Sequence, residues 1–510
     1  MNTLLTCAAL TAAGCPLVVP PAAAQSEPSS PVVSAAFRTA ASGEQSRDPV
    51  KTSPIASEYP VEAGGDGALS GGYGSARWAE DWRKYRTPAN RDDPLDALKI
   101  IPLTSSGDVY LTLSGELRTR INLTTNPGLQ KAPAQRQDIY RLFVGADLHL
   151  GKHVRVYGEL ARGEIDGQNI GNPAASLRND LTAQQLFVDF TTDVDAISLG
   201  ARVGRQEFVD GPNLLLSSRD NATVHTSLDG VRIWAKGTTL RADLFDFNYV
   251  RLGLGGIGDD PSDESRRFSG ISTGFVVPSR FLGGSKLFAD PFLWRLRNRS
   301  ALWGRATARE ERIYAGMHLW GDAGPWSIDW TINHQGGNYA RRSIDAWQVL
   351  LAQTYRIGSS SRAPRIGFHA DYASGGGAFT SGTLGTALAP YGNNIYYSYG
   401  LFLTPTNLVA LASNVTISPL KGLRVTGDYQ LAWRADTSDA VYRGNGTAYA
   451  ATELGRGRKT ADVARLQFVY TPTPRLSFTL RLEHLMAKSG LLEAGYKDSS
   501  FAGGWISLRI

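Results

Sequence analysis

Residues Val109 to Asn122 read VYLTLSGELRTRIN. Val109, Leu111, Leu113, Gly115, Leu117, Thr119 and Ile121 are apolar or small, and the residues between them are polar or charged. A period of two over fourteen residues predicts a strand with one greasy face and one charged face. The same alternation recurs through the chain. In 139–150, Tyr140, Leu142, Val144, Ala146, Leu148 and Leu150 oppose Arg141, Asp147 and His149. In 422–434, Leu423, Val425, Tyr429, Leu431 and Trp433 oppose Arg424, Asp428 and Gln430. In 475–486, Leu476, Phe478, Leu480 and Leu482 oppose Arg475, Arg481 and Glu483. Eighteen such stretches are predicted from 109–122 to 501–510, least regular at 267–277 and 286–297.

The connections decide what these strands build. They are expected to alternate strictly. Odd-numbered ones are long (123–138, 163–181, 207–225, 373–407, 435–460, 487–500) and even-numbered ones short (151–152, 191–195, 237, 322–324, 419–421, 471–474). A soluble sandwich has no reason to place its long loops at one end. An outer-membrane barrel does, with short periplasmic turns, long extracellular loops and an even strand count. The predicted fold is therefore all-β: a transmembrane antiparallel β-barrel of about 18 strands. The greasy face would meet lipid and the charged face would line a lumen.

Composition sharpens this picture. The mean hydropathy of −0.21 over 510 residues fits a barrel whose lumen face is polar, and no apolar run reaches the length of a spanning helix. The net charge is +6, and 42 of the 53 basic residues are arginine. Arginine binds carboxylate and phosphate bidentately. The arginines are spread evenly rather than in blocks, which argues against a nucleic-acid partner. Cys7 and Cys15 are the only cysteines, so disulfides and thiol chemistry are excluded from a processed chain. Residues 1–24 read as an export signal ending at Ala22-Ala23-Ala24, with lipidation at Cys15 as the alternative. Residues 25–76 are rich in Ser, Pro, Ala and Gly and are expected to be disordered. The barrel is placed at 77–510, and 77–108 reads as the lead-in to the first strand, with a plug or lid as the alternative.

If the apolar face is lipid-side, the lumen is charged throughout and arginines outnumber carboxylates. Arg202 and Arg232 stand on the lumen face with Asp189, and Arg295 and Arg297 are assigned there too. Such a lumen favours anions, because low-dielectric walls focus the field. The bland alternative is that arginine–carboxylate pairs merely brace the wall.

Several motifs fail on their context. Gly253-Leu254-Gly255-Gly256-Ile257-Gly258 matches G-x-G-x-x-G but precedes Asp259-Asp260-Pro261 rather than a helix. Asp259, Asp260, Asp263 and Glu264 form an acidic outer loop in which Ca²⁺ is the one cofactor with any footing. The seven histidines show no ligand spacing, and no G-x-S-x-G nucleophile elbow is present: Gly270-Ile271-Ser272-Thr273-Gly274 matches the letters but lies inside the predicted strand 267–277 rather than at a strand-to-helix turn, so the chain is not expected to be an enzyme.

Taken together, Asp81-Trp82 with DDPLDALKIIPL, SGELRTR, IYRLFVGADLHLGKHVRVYGEL, LGARVGRQEF at 199–208, SLDGVRIW at 227–234, GDDPSDES at 258–265, APRIGFHADYASG at 363–375 and RADTSDAVYRG at 434–444 resemble the alginate-export outer-membrane proteins. The resemblance runs from about residue 78 to the C-terminus. It implies a monomeric, eighteen-stranded barrel in the bacterial outer membrane that passes an anionic polyuronate through an arginine-lined lumen. On the matching motifs it implies lumen roles for Arg118, Arg141, Arg205 with Glu207, Arg365, Asp371 and Arg434. The expected partners are an anionic polysaccharide or a small anionic solute, outer-membrane lipid and periplasmic export machinery. An anion-selective diffusion porin is the rival reading, and a soluble periplasmic binding protein or enzyme is a third.

Overall fold

A computed structural model describes residues 72–279 and 285–510. The signal segment at 1–24, Cys15 and residues 25–71 lie outside the described residues. Packed structure begins before Arg77: the Tyr73 ring lies 4.7 Å from that of Trp82, and Ala76 is buried.

Eighteen barrel strands are present among the described residues. The first nine are β1 (Val109–Thr124), β2 (Gln135–Leu150), β3 (Val154–Gln168), β4 (Asn179–Val194), β5 (Ile197–Gln206), β6 (Leu228–Lys236), β7 (Leu240–Val250), β8 (Ser262–Val277) and β9 (Lys286–Trp303). The second nine are β10 (Ala306–Ala323), β11 (Trp326–Tyr339), β12 (Arg342–Arg356), β13 (Arg365–Ala373), β14 (Leu408–Leu420), β15 (Leu423–Trp433), β16 (Lys459–Thr473), β17 (Leu476–Ala487) and β18 (Ser499–Arg509). Each pairs antiparallel with its sequence neighbours, and β18 returns to β1 from Phe501↔Thr124 to Arg509↔Glu116. Gly115 and Ile510 then exchange two backbone hydrogen bonds of 2.9 Å. Closure leaves no edge of unpaired N–H and C=O groups, the condition for strands to cross lipid. A two-residue strand, Ile101–Pro102, precedes the barrel and pairs with β1.

The period-two pattern fixes which face is which, and the burial is inverted relative to a soluble protein. Leu117 is 50% exposed while its neighbour Arg118 is 5% exposed. Leu142, Val144, Leu244, Leu293, Phe368, Leu480 and Leu482 are likewise exposed, and the polar residues between them are covered. The exposed face is an apolar belt. Phe190, Phe275, Trp326, Tyr355, Tyr470 and Phe478 stand near its short-turn margin, in the place an interfacial aromatic girdle takes.

The loop alternation is less strict than the sequence suggests. At the long-loop end, β9–β10 and β11–β12 are joined by two-residue turns at 304–305 and 340–341. Ala340 and Arg341 both have positive φ, as a twist-matched tight hairpin requires. These strands keep pairing because inward Trp303, Tyr339 and Ile344 pack against Ala378, Leu384, Ala440 and Tyr442 from the neighbouring loops. At the other end, eight residues separate β8 from β9 and β12 from β13, and four of the tighter turns use left-handed Gly151, Asp195, Gly324 and Gly422.

Leu480→Arg places a guanidinium in the lipid belt. It is expected to lower stability by about 2–4 kcal/mol if the site is near mid-bilayer, read by denaturant unfolding in lipid vesicles. An unchanged midpoint would place that face away from lipid.

Candidate functional site

The lumen is organised around one carboxylate. Glu116, on the inward face of β1, is fully buried. Its Oε1 accepts from Arg141 at 2.6 Å and lies 2.9 Å from Arg118 Nη2; its Oε2 accepts from Arg77 at 3.2 Å and lies 3.6 Å from Arg509. Asp220, from the 207–227 connection, meets the same two arginines: Arg118 donates at 3.1 Å and Arg141 at 2.7 Å. His225 bridges Asp220 at 3.0 Å and Glu207 at 2.9 Å, and Glu207 also accepts from Gln184 at 3.0 Å. Burial opposes charge on Asp220, but Arg118 and Arg141 outweigh it and hold that carboxyl well below the usual range. Burial likewise opposes charge on His225, and Glu207 and Asp220 outweigh it, raising the imidazole above its ordinary value. A small cavity of about 10 Å³, the scale of a single water, is lined by Arg118, Arg120, Ile139, Arg141, Asn221, Ala222 and Thr223.

The segment before β1 enters this network, so it is more than a lead-in. Arg77 reaches mid-wall and donates to both oxygens of Glu159, at 2.6 and 3.0 Å, with its guanidinium over the Phe143 ring. Trp78 is buried with Tyr157 and Phe187. Thr112 donates to the Lys99 carbonyl at 2.6 Å, and Arg475 at the start of β17 donates to Asp96 at 2.6 Å. Burial pulls the Lys99 ammonium below its ordinary value even though Glu80 lies 3.5 Å away. Arg77 and Trp78 therefore enter the barrel against β1, β3 and β4, while the rest of the segment packs at the short-turn end against β1 and the start of β17.

The lumen is not charged throughout. Leu214, Leu215, Leu216, Tyr391, Tyr396, Tyr397 and Phe402 from the 207–227 and 374–407 connections form one apolar cluster with inward Phe245, Phe247, Phe268, Trp294 and Leu350. The infolded loops cover this part of the wall.

Most of the expected site residues are braces. Arg202 makes a two-point contact with Asp189 at 2.7 and 2.9 Å and lies 3.8 Å from the Phe187 ring centre. Arg232 holds Asp243 at 2.6 Å, which also takes Arg241 at 2.8 Å. Asp371 stands 2.8 Å from His369 and accepts from the Leu351 amide at 3.2 Å. Arg434 lies just beyond β15. It is fully buried and donates to the carbonyls of Thr437, Asp439, Thr452, Gly455 and Gly457, so it staples the 434–458 loop rather than facing a passage. Arg205 is not a lumen residue. It shares the outward parity of Val203, pairs across strands with exposed Leu186, and makes contacts of 2.9 and 3.1 Å with Asp229 on the outer face. Arg295 and Arg297 are outward as well, alternating with buried Trp294 and Leu296.

Arg365 is inward and directly opposite Arg356, also inward. Arg424 follows two strands on, beside the Thr426–Thr416 pair that continues the Arg365 row. These three arginines gather at the short-turn end. A second group lies higher, where Arg120 and Arg481 flank the Trp505 indole at 5.2 and 4.8 Å and Tyr399 lies 5.0 Å from Arg481. Nothing in the local pattern around Arg77, Asp220 and His225 announces an inward fold, whereas Trp505 shares the inward parity of Ser507 on β18. Polar density in SSRDNATVHTSLDG (217–230) was the one available signal.

Among the described residues no group of three or more His, Cys, Asp or Glu is placed to hold a metal. The acidic loop does not converge on an ion: Asp259 accepts from the Gly255 amide, Asp260 from Gly253 and Asp263 from Ser265.

A closed barrel with a lipid-facing apolar belt and a charged, partly plugged lumen defines an outer-membrane channel of the porin class. The alginate export family model matches residues 109–502, and the chain belongs to that family. No curated protein sequence matches the chain. A BenF-like porin from Pseudomonas fluorescens Pf-5 shares the fold, with a TM-score of 0.52 at 12% identity over 78% of this chain and 99% of that one. OccK5 (OpdH) of Pseudomonas aeruginosa aligns with a TM-score of 0.50 at 10% identity over 78% and 98%. OccK2 (OpdF) of the same organism, in complex with glucuronate, aligns at 0.50 and 12% identity over 78% and 98%.

Arg77→Ala leaves Glu159 buried without its two-point partner, a loss of about 3–5 kcal/mol for such a pair. The N-terminal segment should loosen while β1–β18 stay paired. The expected result is more frequent and larger conductance steps in planar bilayers, with heat-modifiable gel migration retained. Unchanged conductance would show that the segment does not restrict the lumen.

Proposed function

We propose that this outer-membrane channel passes an anionic polysaccharide of the polyuronate type. The observation that carries the reading is the inward Arg356–Arg365 pair with Arg424 near it. Like charges directly opposite across strands repel, so this row concentrates positive field at one mouth, although Asp322 stands close enough to Arg365 to offset part of it. At the short-turn mouth it would attract a polyanion from the periplasm. Arg120, Arg481, Trp505 and Tyr399 offer the next contact, where guanidinium can meet carboxylate and the indole can stack on a sugar ring. Transport needs several weak contacts rather than one tight one, and two separated arginine groups supply them. The remaining arginines, held by Asp189, Asp243 and the Glu116 network, keep the wall rigid and add field.

Both the family and the infolded segments bear on the mechanism. Alginate is a polyuronate, so export of alginate is the natural first substrate to test. The N-terminal segment and the 207–227 connection would have to shift for a polymer to pass. A small-anion channel is the second reading, and the glucuronate bound to the OccK2 neighbour favours it, since that ligand is a single uronic acid.

The discriminating experiment is block of bilayer conductance by oligouronates of increasing length, matched in total uronate. Polymer passage predicts block that strengthens with length and weakens at least several-fold in Arg356→Ser/Arg365→Ser. Length-independent block, equal to that of glucuronate, would favour the small-anion reading. No effect of the double substitution would remove the arginine row from the path.

A further inference from the structure

On β2 and β3 outward cations do not exceed carboxylates: Arg136 lies beside Asp138 and Arg162 beside Glu164. On β7–β10 they do. Seven charged side chains cluster on the outward face there: Asp246, Arg267, Arg295, Arg297, Arg299, Arg309 and Glu311. Five cations meet two carboxylates. Arg267 is paired with Asp246. Glu311 serves three guanidiniums at once: it contacts Arg295, lies 3.5 Å from Arg297 and lies 4.0 Å from Arg309. One negative charge cannot neutralise three positive ones, and the side chains of Arg267, Arg295, Arg297 and Arg309 are 37–72% exposed.

Register places this patch at a defined height. The last fully aliphatic outward row on this side is Leu244–Ile271–Leu293–Ala315. Arg295 stands one outward position further along β9, and Arg297 and Arg267 face each other one position beyond that. Two residues of strand span about 7 Å, so the guanidiniums begin immediately above the hydrocarbon belt, on the long-loop side. At that level the membrane offers headgroup phosphates rather than water or acyl chains. The far wall has no counterpart: His484, Met486, Ser500 and Ala502 occupy the corresponding outward positions of β17 and β18.

We infer that the Arg267/Arg295/Arg297/Arg309 patch binds the phosphate groups of an anionic, phosphorylated glycolipid of the outer leaflet. Arginine suits this partner because its fork donates to two phosphate oxygens while its stem lies along the apolar belt. A row of such contacts would fix one side of the barrel to its lipid neighbours and leave the other side mobile in the membrane.

The test uses the full chain purified in detergent and diphosphorylated lipid A as probe, with binding read by native mass spectrometry. Its dephosphorylated form and inorganic phosphate are the comparison arms. Wild type should retain diphosphorylated lipid A at least tenfold better than the dephosphorylated form. Arg297→Ser/Arg309→Ser should lose that preference. Arg456→Ser, an exposed arginine in the 434–458 loop, should keep it. Heat-modifiable migration confirms that each variant is folded, and single Arg→Lys variants stand in for any that is not. Equal retention by wild type and the double variant, or retention indifferent to the phosphates, would overturn the inference. Equal competition by inorganic phosphate at millimolar concentration would also overturn it, by reducing the patch to a simple ion site.

Discussion

The interaction on which the interior depends is the buried carboxylate of Glu116 with the four arginines around it. It joins three parts of the chain that are distant in sequence. Arg118, Arg141 and Arg509 come from the wall, Arg77 from the N-terminal segment, and Asp220 reaches the same arginines from the 207–227 connection. Charges this deeply covered are costly unless paired and hydrogen-bonded. No member can leave without exposing another, which makes the assembly cooperative. The closing β18–β1 seam lies beside it, so barrel closure and lumen plugging meet at one strand.

That arrangement follows from a chain with two solvents. Outside, lipid demands apolar side chains, and β1 answers with Leu117, Ile121 and Leu123. Inside, the large cross-section of eighteen strands cannot be filled by wall side chains alone. The structure fills it with chain: Arg77 and Trp78 from one end, Leu214–Leu216, Tyr391 and Tyr396 from the other. Arginine–carboxylate braces stiffen the wall where no loop reaches. Two further groups of arginines gather at the short-turn mouth and around Trp505, where field and stacking coincide.

The strands were legible because lipid enforces strict alternation, and each of the eighteen expected stretches corresponds to an observed strand. The ends were less legible. β9 to β12 run on past their expected limits because Trp303, Tyr339 and Ile344 find partners in loops, a tertiary reason that period two does not carry. Arg205, Arg295 and Arg297 face outward where the alternation and motif suggest the lumen. An arginine above the belt can point outward as comfortably as inward, so charge alone does not give its side. Arg434 matched a family motif, yet its guanidinium is consumed by backbone carbonyls. The inward turn of Arg77 and Trp78 is set by Arg77 meeting Glu116 and Glu159, contacts 39 and 82 residues away in sequence that local pattern cannot foresee.

The central claim is that the arginine bias of the lumen selects anions. Its most direct test is the reversal potential of the wild-type channel in a tenfold potassium chloride gradient across a planar bilayer. The account predicts a potential displaced toward the chloride equilibrium value, collapsing toward zero as salt on both sides is raised and the field is screened. A potential displaced toward the potassium value, or none at low salt, would contradict it.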